Sequence, residues 1–271
     1  MAGQMRPRTP PSAAAQLPSP PATPSPELQT TTASVSYPPV VVLLGPTASG
    51  KGTLGKQLAQ SFNLAHISMG DFTRELCAPP LPGVSSRINQ LVHTKKPIPS
   101  SILEAEFGSD PENVPILLRL YMYQLAGEVA PAHLRLPLLK KRIQDLWTQP
   151  LADGLTRARA ILLDEFPRTL EAAEQAEIFF GTMFPLVVIN LQCSTAILRE
   201  RYLSRARPGD TEVERFGKRM KRFEAVQPTI VDFYRQRDVL IEVSTEGSKE
   251  QAWSDLIEGL WRNTGWSALF K

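Results

Sequence analysis

Residues 40–53 read "VVVLLGPTASGKGT", and no other run constrains the fold of this chain as much. Five apolar residues followed at once by glycine describe a strand buried on both faces, as parallel sheets require. Gly45, Gly50 and Lys51 then fit G-x-x-x-x-G-K, and beyond them Leu54, Leu58 and Phe62 recur four apart, as on one face of a helix. A backbone that wraps a phosphate closely needs glycine, and the helix that follows turns its N–H groups and positive dipole end toward the anion. Lys51 adds a point charge for the β- and γ-phosphates. Gly52 stands where Ser or Thr is usual, and Thr53 brings a hydroxyl one position later. Binding of a nucleoside triphosphate is expected at Gly45, Ser49, Gly50, Lys51, Gly52 and Thr53.

The rest of the chain extends this pattern. Apolar runs at 65–68, 160–164, 185–193 and 239–244 alternate with helical stretches at 51–62, 169–180 and 211–237. Such alternation predicts an α/β fold, a P-loop NTPase three-layer sandwich around a five-stranded parallel sheet. Residues 75–158 interrupt it. They are mostly helical in pattern, with breaks at "APPLPG" (78–83), "KKPIP" (95–99) and "GSDPENVP" (108–115), and are expected to form a helical subdomain at the sheet's edge.

Residues 1–38 differ in kind. Ten of the 25 prolines fall before Val40, and there is almost nothing to bury, so a disordered tail is expected. Arg6 and Arg8, with no acid before Glu27, have the charge of a transit peptide, but the prolines oppose the amphipathic helix such a peptide needs. A cytoplasmic protein is expected, with nuclear or mitochondrial placement open. The net charge of +3 calls for neither nucleic acid nor a membrane surface, and no apolar run approaches a membrane span. Cys77 and Cys193 match no metal spacing, and neither do His66, His93 and His133.

"GKGT" (50–53), "HISMGDFTRE" (66–75), "ILLDEFPRT" (161–169) and "RERYLSRARPGD…KRMKRF" (199–223) stand in order in this chain. Together they resemble the adenylate kinase family, which includes the UMP/CMP kinases. The resemblance covers about residues 40–262. It implies a kinase-like domain over 39–271, with a monophosphate-binding subdomain at about 69–150 and a short lid at about 205–211. It further implies transfer of a phosphoryl group from Mg²⁺-bound ATP to a nucleoside monophosphate (AMP, UMP or CMP) by a monomer.

By resemblance, Met69, Arg74 and Arg168 hold the monophosphate, and Arg201 lies by the ATP base. Arg205, Arg207 and Arg219 act with Lys51 and Arg168 on the transferring group. Asp71 and Asp164 hold the water shell of Mg²⁺, and Asp210 matches one lid aspartate. Arginine suits this work, being always charged and able to grip phosphate bidentately. Between 199 and 222 nine Lys/Arg face four Asp/Glu, a balance that a solvated helix also shows.

Three positions depart from the family pattern. Glu165 replaces a glycine, Met69 replaces a Thr or Ala at the acceptor base, and Ala172 replaces a glutamine, with Glu171 or Gln175 as substitutes. A carboxylate beside the triphosphate must turn away, pair with an arginine, or meet a metal. "AILLDE" (160–165) also has the strand-plus-Asp-Glu form of ATPases, so an ATP-hydrolysing switch and a catalytically weak nucleotide-binding relative stay open. "GPTASGK" alone also resembles tRNA isopentenyltransferases, against which Gly52, "DEFPR" and the lid arginines speak.

Overall fold

The computed structural model describes residues 38–148, 157–181, 184–204 and 213–271. The expected tail through residue 37 and the expected lid at 205–211 lie outside the described residues. Five strands, β1 (Val40–Leu44), β2 (Leu64–Ser68), β3 (Ala160–Asp164), β4 (Val187–Gln192) and β5 (Leu240–Ser244), form one parallel sheet in the order β2-β3-β1-β4-β5. Val42 of β1 pairs with Leu163 on one side and Val188 on the other. β4 starts two residues later than the apolar pattern suggested, because Pro185 has no N–H for a ladder.

Alternation along β1 builds both hydrophobic layers. Val40, Val42 and Leu44 face α6 (Ala132–Thr148), α7 (Leu170–Phe180) and α9 (Val213–Arg235). Val41 and Leu43 face α1 (Lys51–Phe62) and α10 (Lys249–Arg262). All five β1 residues are buried, which is why the run shows no polar alternation. Thr169 caps α7 by accepting from the Ala172 N–H at 3.1 Å. Ala172, Ala173 and Ala176 then give α7 a small, fully buried face on the sheet. α11 (Thr264–Ala268) closes the other layer with Trp266, whose ring meets Phe62 edge-on at 5.0 Å. Sequence periodicity had assigned no helix after β5.

The helical interruption comprises α2 (Met69–Leu76), α3 (Ser86–His93), α4 (Ser100–Phe107), α5 (Ile116–Ala126) and α6. It has its own core, including Ile88, Val92, Leu118, Tyr121 and Leu134. α6 belongs to two cores at once: Leu134 packs with the interruption, while Leu136, Leu139 and Ile143 pack on the sheet. Truncating the fully buried Leu139 to alanine would therefore cost about 2–5 kcal/mol and loosen that junction. Cys77 lies in the helical core as a free thiol, and burial pushes its pKa up to about 11. Among the described residues, no helix is long and apolar enough to cross a membrane.

The chain leaves β1 toward β2 and β3, then returns to β4 and β5 on the other side. This reversal opens a crevice at the carboxyl end of β1, where open α/β sheets take ligands.

Candidate functional site

The loop after β1 is shaped by its backbone. Gly45 has φ +145°, and a Cβ there would stand 2.9 Å from the Leu191 carbonyl oxygen and 2.9 Å from Ser49 Oγ, so only glycine fits. Gly50 precedes α1 at φ +95°. Lys51 is buried, and its Nζ donates to the carbonyls of Gly45 at 2.8 Å and Pro46 at 2.7 Å. Those neutral acceptors are weaker partners for an ammonium than phosphate oxygens. Ser49 is fully buried, and its hydroxyl has no hydrogen-bond partner among the described residues. Gly52 and Thr53 are exposed, and a Cβ at Gly52 would touch nothing within 4 Å. The missing Ser/Thr after the lysine therefore lies in open space.

The carboxyl end of β3 adds the second wall. Asp164 is 5% exposed, and its Oδ1 has no hydrogen-bond partner among the described residues. His66 Nε2 on neighbouring β2 is 3.8 Å from Asp164 Oδ2, too far for a hydrogen bond. A buried carboxylate oxygen without a donor is costly, and it suits a site completed by a hydrated divalent cation. Asp71 differs: it is exposed on the first turn of α2 and ion-pairs with Arg74, which holds its carboxyl below the usual carboxylate range.

Glu165 follows Asp164 at φ +65°, a left-handed backbone that is uncommon outside glycine. Of the three fates open to this carboxylate, pairing is the one observed: Arg168 donates to Glu165. Burial pushes the Glu165 pKa up, but Arg168, Lys51 and Arg219 together outweigh it and hold the carboxyl below its ordinary value. Arg74 joins this cluster from α2. A Cβ on Gly70 would be 3.4 Å from both Arg74 Nη1 and Glu165 Oε2. Lys51, Arg168 and Arg219 thus act on one carboxylate, and Arg74 lies across Gly70 from it.

The remaining sequence-derived residues sit around this centre. Arg201, on α8 (Thr195–Leu203), donates to the Thr245 carbonyl at 2.7 Å beyond β5, at the far side of the crevice. Arg219 on α9 lies over the Tyr202 ring at 5.7 Å. Ala48 of the loop packs with Leu198, Tyr202, Phe216 and Met220, so α8 and α9 rest directly on the loop. Arg205, Arg207 and Asp210 lie outside the described residues. Met69, the first residue of α2, is 3% exposed, and Glu171 accepts from Gln175 Nε2 at 2.8 Å. Sequence reasoning missed Arg135 of α6, which is buried next to Met69. In "LRLPLLKKRI" it reads as one more cation on a basic helix, and no local signal marks it as buried.

No protein-family model matches the chain. It is similar to an adenylate kinase of Corynebacterium urealyticum, 28% identical over 212 residues, covering 78% of this chain and 92% of that protein. A UMP-CMP kinase 2 of Oryza sativa subsp. japonica is 25% identical over 213 residues, covering 78% and 70%. An adenylate kinase 1 of a Nostoc species is 25% identical over 218 residues, covering 80% and 95%.

Proposed function

The chain belongs to the adenylate kinase and UMP-CMP kinase family, and from that premise we propose that it transfers the γ-phosphoryl group of Mg-ATP to AMP, UMP or CMP. One observation carries the reading: Lys51, Arg168 and Arg219 act on the Glu165 carboxylate at the carboxyl end of β3, and Arg74 lies across Gly70 from it. Three cations around one anion, with a fourth beside them, form a place for phosphates at the switch point.

An oxygen of the acceptor's phosphate attacks the γ-phosphorus in line, as the bond to the β–γ bridging oxygen breaks. The products are ADP and a nucleoside diphosphate. A phosphate dianion needs no general base, so the protein's work is positioning, charge neutralisation and water exclusion. Lys51 exchanges its two loop carbonyls for β- and γ-phosphate oxygens. Arg168 exchanges Glu165, and Arg74 exchanges Asp71, for the acceptor's phosphate. Arg219, with Arg205 and Arg207, stabilises the transferring group, and Arg201 borders the ATP base. Mg²⁺, when bound, would offset the charge of the phosphates. Asp164 would hold its water shell from the buried side, and Asp71 would join once Arg74 has turned to phosphate.

Glu165 also bears on the hydrolase alternative. A carboxylate held ionised by three cations is a weak general base, which argues against a switch in which Glu165 activates water.

The test is ADP production from Mg-ATP with AMP, UMP, CMP, GMP or dTMP, and with no acceptor. ADP that depends on an acceptor is the expected result. Equal ADP in every tube would make the protein an ATPase. ATP binding without ADP would make it a nucleotide-binding relative without turnover.

A further inference from the structure

This inference rests on the kinase reading above and concerns the acceptor's base. Arg135 is 7% exposed, and its Nε is buried without a hydrogen-bond partner. No hydrogen bond or ion pair of its guanidinium occurs among the described residues. Burial and the like charge of Arg168 push its pKa down to about 10, while Glu171 acts in the opposite direction, so it stays charged at neutral pH. Keeping an unpaired guanidinium buried costs several kcal/mol in general, so a structural role alone explains it poorly.

Its surroundings indicate what it serves. Arg135 lines a small void of about 10 Å³ with Met69, Phe72, Thr73, Leu120 and Leu138. Four of the side chains around that void, Met69, Phe72, Thr73 and Leu76, belong to α2, which puts Arg135 on the same side of the crevice as Arg74. Phosphate has charged alternatives at Arg74 and Arg168 and no reason to enter an apolar pocket. A nucleobase, with apolar faces and polar edges, matches apolar walls around one donor group. The void holds about one water, so a ring enters only as the walls give. Met69, unbranched and adaptable, is the side chain best able to move.

We propose that Arg135 determines acceptor specificity by donating two parallel hydrogen bonds to adjacent acceptor atoms on one edge of the base. Cytosine offers O2 and N3 in this way, and guanine offers O6 and N7. Adenine sets its amino donor beside each edge acceptor, and uracil sets N3–H between its two oxygens. A guanidinium only donates, so it meets a donor on either of those edges.

The test is calorimetric binding of CMP, GMP, AMP and UMP to the full chain and to Arg135→Met, which keeps length and apolar packing. The wild type should bind CMP or GMP at least about tenfold more tightly than AMP and UMP, and whichever leads identifies the edge. Arg135→Met should weaken that nucleotide about 10- to 100-fold and shift AMP less than about threefold. Arg135→Lys should recover only part of the loss, since one ammonium cannot reproduce the paired donors. Three outcomes would overturn the proposal: AMP or UMP leading in the wild type, equal losses for all four in Arg135→Met, or full rescue by lysine. If Arg135→Met does not fold, the wild-type ranking and the lysine variant still decide.

Binding is read without turnover, which separates this proposal from the kinase reading. Selective CMP or GMP binding without ADP formation would break the kinase reading and support the role of Arg135. Efficient turnover that favours AMP would do the reverse. No binding of any of the four nucleotides would overturn both.

Discussion

The two walls of the crevice are built on different principles. The phosphate loop comes from residues 40–53 alone and acts mainly through backbone: positive φ at Gly45 and Gly50, and a lysine folded onto its own carbonyls. The proposed acceptor wall is assembled from side chains between residues 69 and 168, carried by α2, α6 and the end of β3. Met69, Glu165 and Ala172, the family departures with a structural consequence, all belong to that wall or its flank. The loop's one departure, Gly52, faces open space. Main-chain recognition of an anion tolerates almost no change of residue, whereas a wall of side chains can be exchanged piecemeal to suit another acceptor.

Removing the main cation of each wall gives the largest expected effect. Lys51→Ala should lower kcat about 10²–10³-fold with every acceptor, the scale of losing one transition-state donor. Arg168→Ala should cause a similar loss in kcat/KM for the monophosphate but leave the KM for ATP within about threefold. An equal rise in both KM values would show that the walls do not act separately.

Within the loop, Gly45→Ala should destabilise the fold by about 2–3 kcal/mol, from a disallowed backbone and a clash with the Leu191 carbonyl. Gly52→Ala should instead be neutral or stabilising by up to about 1 kcal/mol, since it adds a helix former in open space. Urea midpoints of both variants would check this contrast, and equal destabilisation would remove the backbone argument.

On the acceptor wall, Glu165→Gly should relieve about 1 kcal/mol of left-handed strain, partly offset by the freer unfolded chain, and keep or raise kinase turnover. Collapse of ADP formation in this variant would favour the hydrolase.

The smallest effect is in pH. The folded-state pKa of Glu165 is depressed from 4.5, so its stabilisation is fully present above pH 4.5 and lost as pH falls through the lower folded value. Melting temperatures of Glu165→Gln should therefore decline less steeply than wild type below pH 4.5. Parallel curves would place the acid sensitivity elsewhere.

Much of the fold was legible in the chain. The strands appear where apolar runs predicted them, most clearly β1, β3 and β4, which bury both faces. The helical stretch breaks at the three proline-rich segments, where closely spaced prolines disfavour a helix, although α6 carries the single Pro137 in its interior. α10 and α11 were not read, and neither was α6's place in two cores: Leu134 and Leu136 are two residues apart yet serve different cores. Of the candidate site, the loop was readable because its conformation is set by adjacent residues. Arg135 was not, because an arginine on a helix looks the same in sequence whether it faces solvent or a pocket.

By itself the sequence determined what neighbours along the chain can settle: a glycine loop between a buried strand and a helix, the alternation that forces a parallel sheet, and a family resemblance carried by short blocks. Only the tertiary structure decided which charges meet. Lys51 and Arg219 act on Glu165 from distant segments, Asp164 keeps a buried oxygen without a donor, and Arg135 lines a void with Met69. The reason is physical: electrostatic energy depends on distance and burial, and both are set by segments brought together from far apart in the chain.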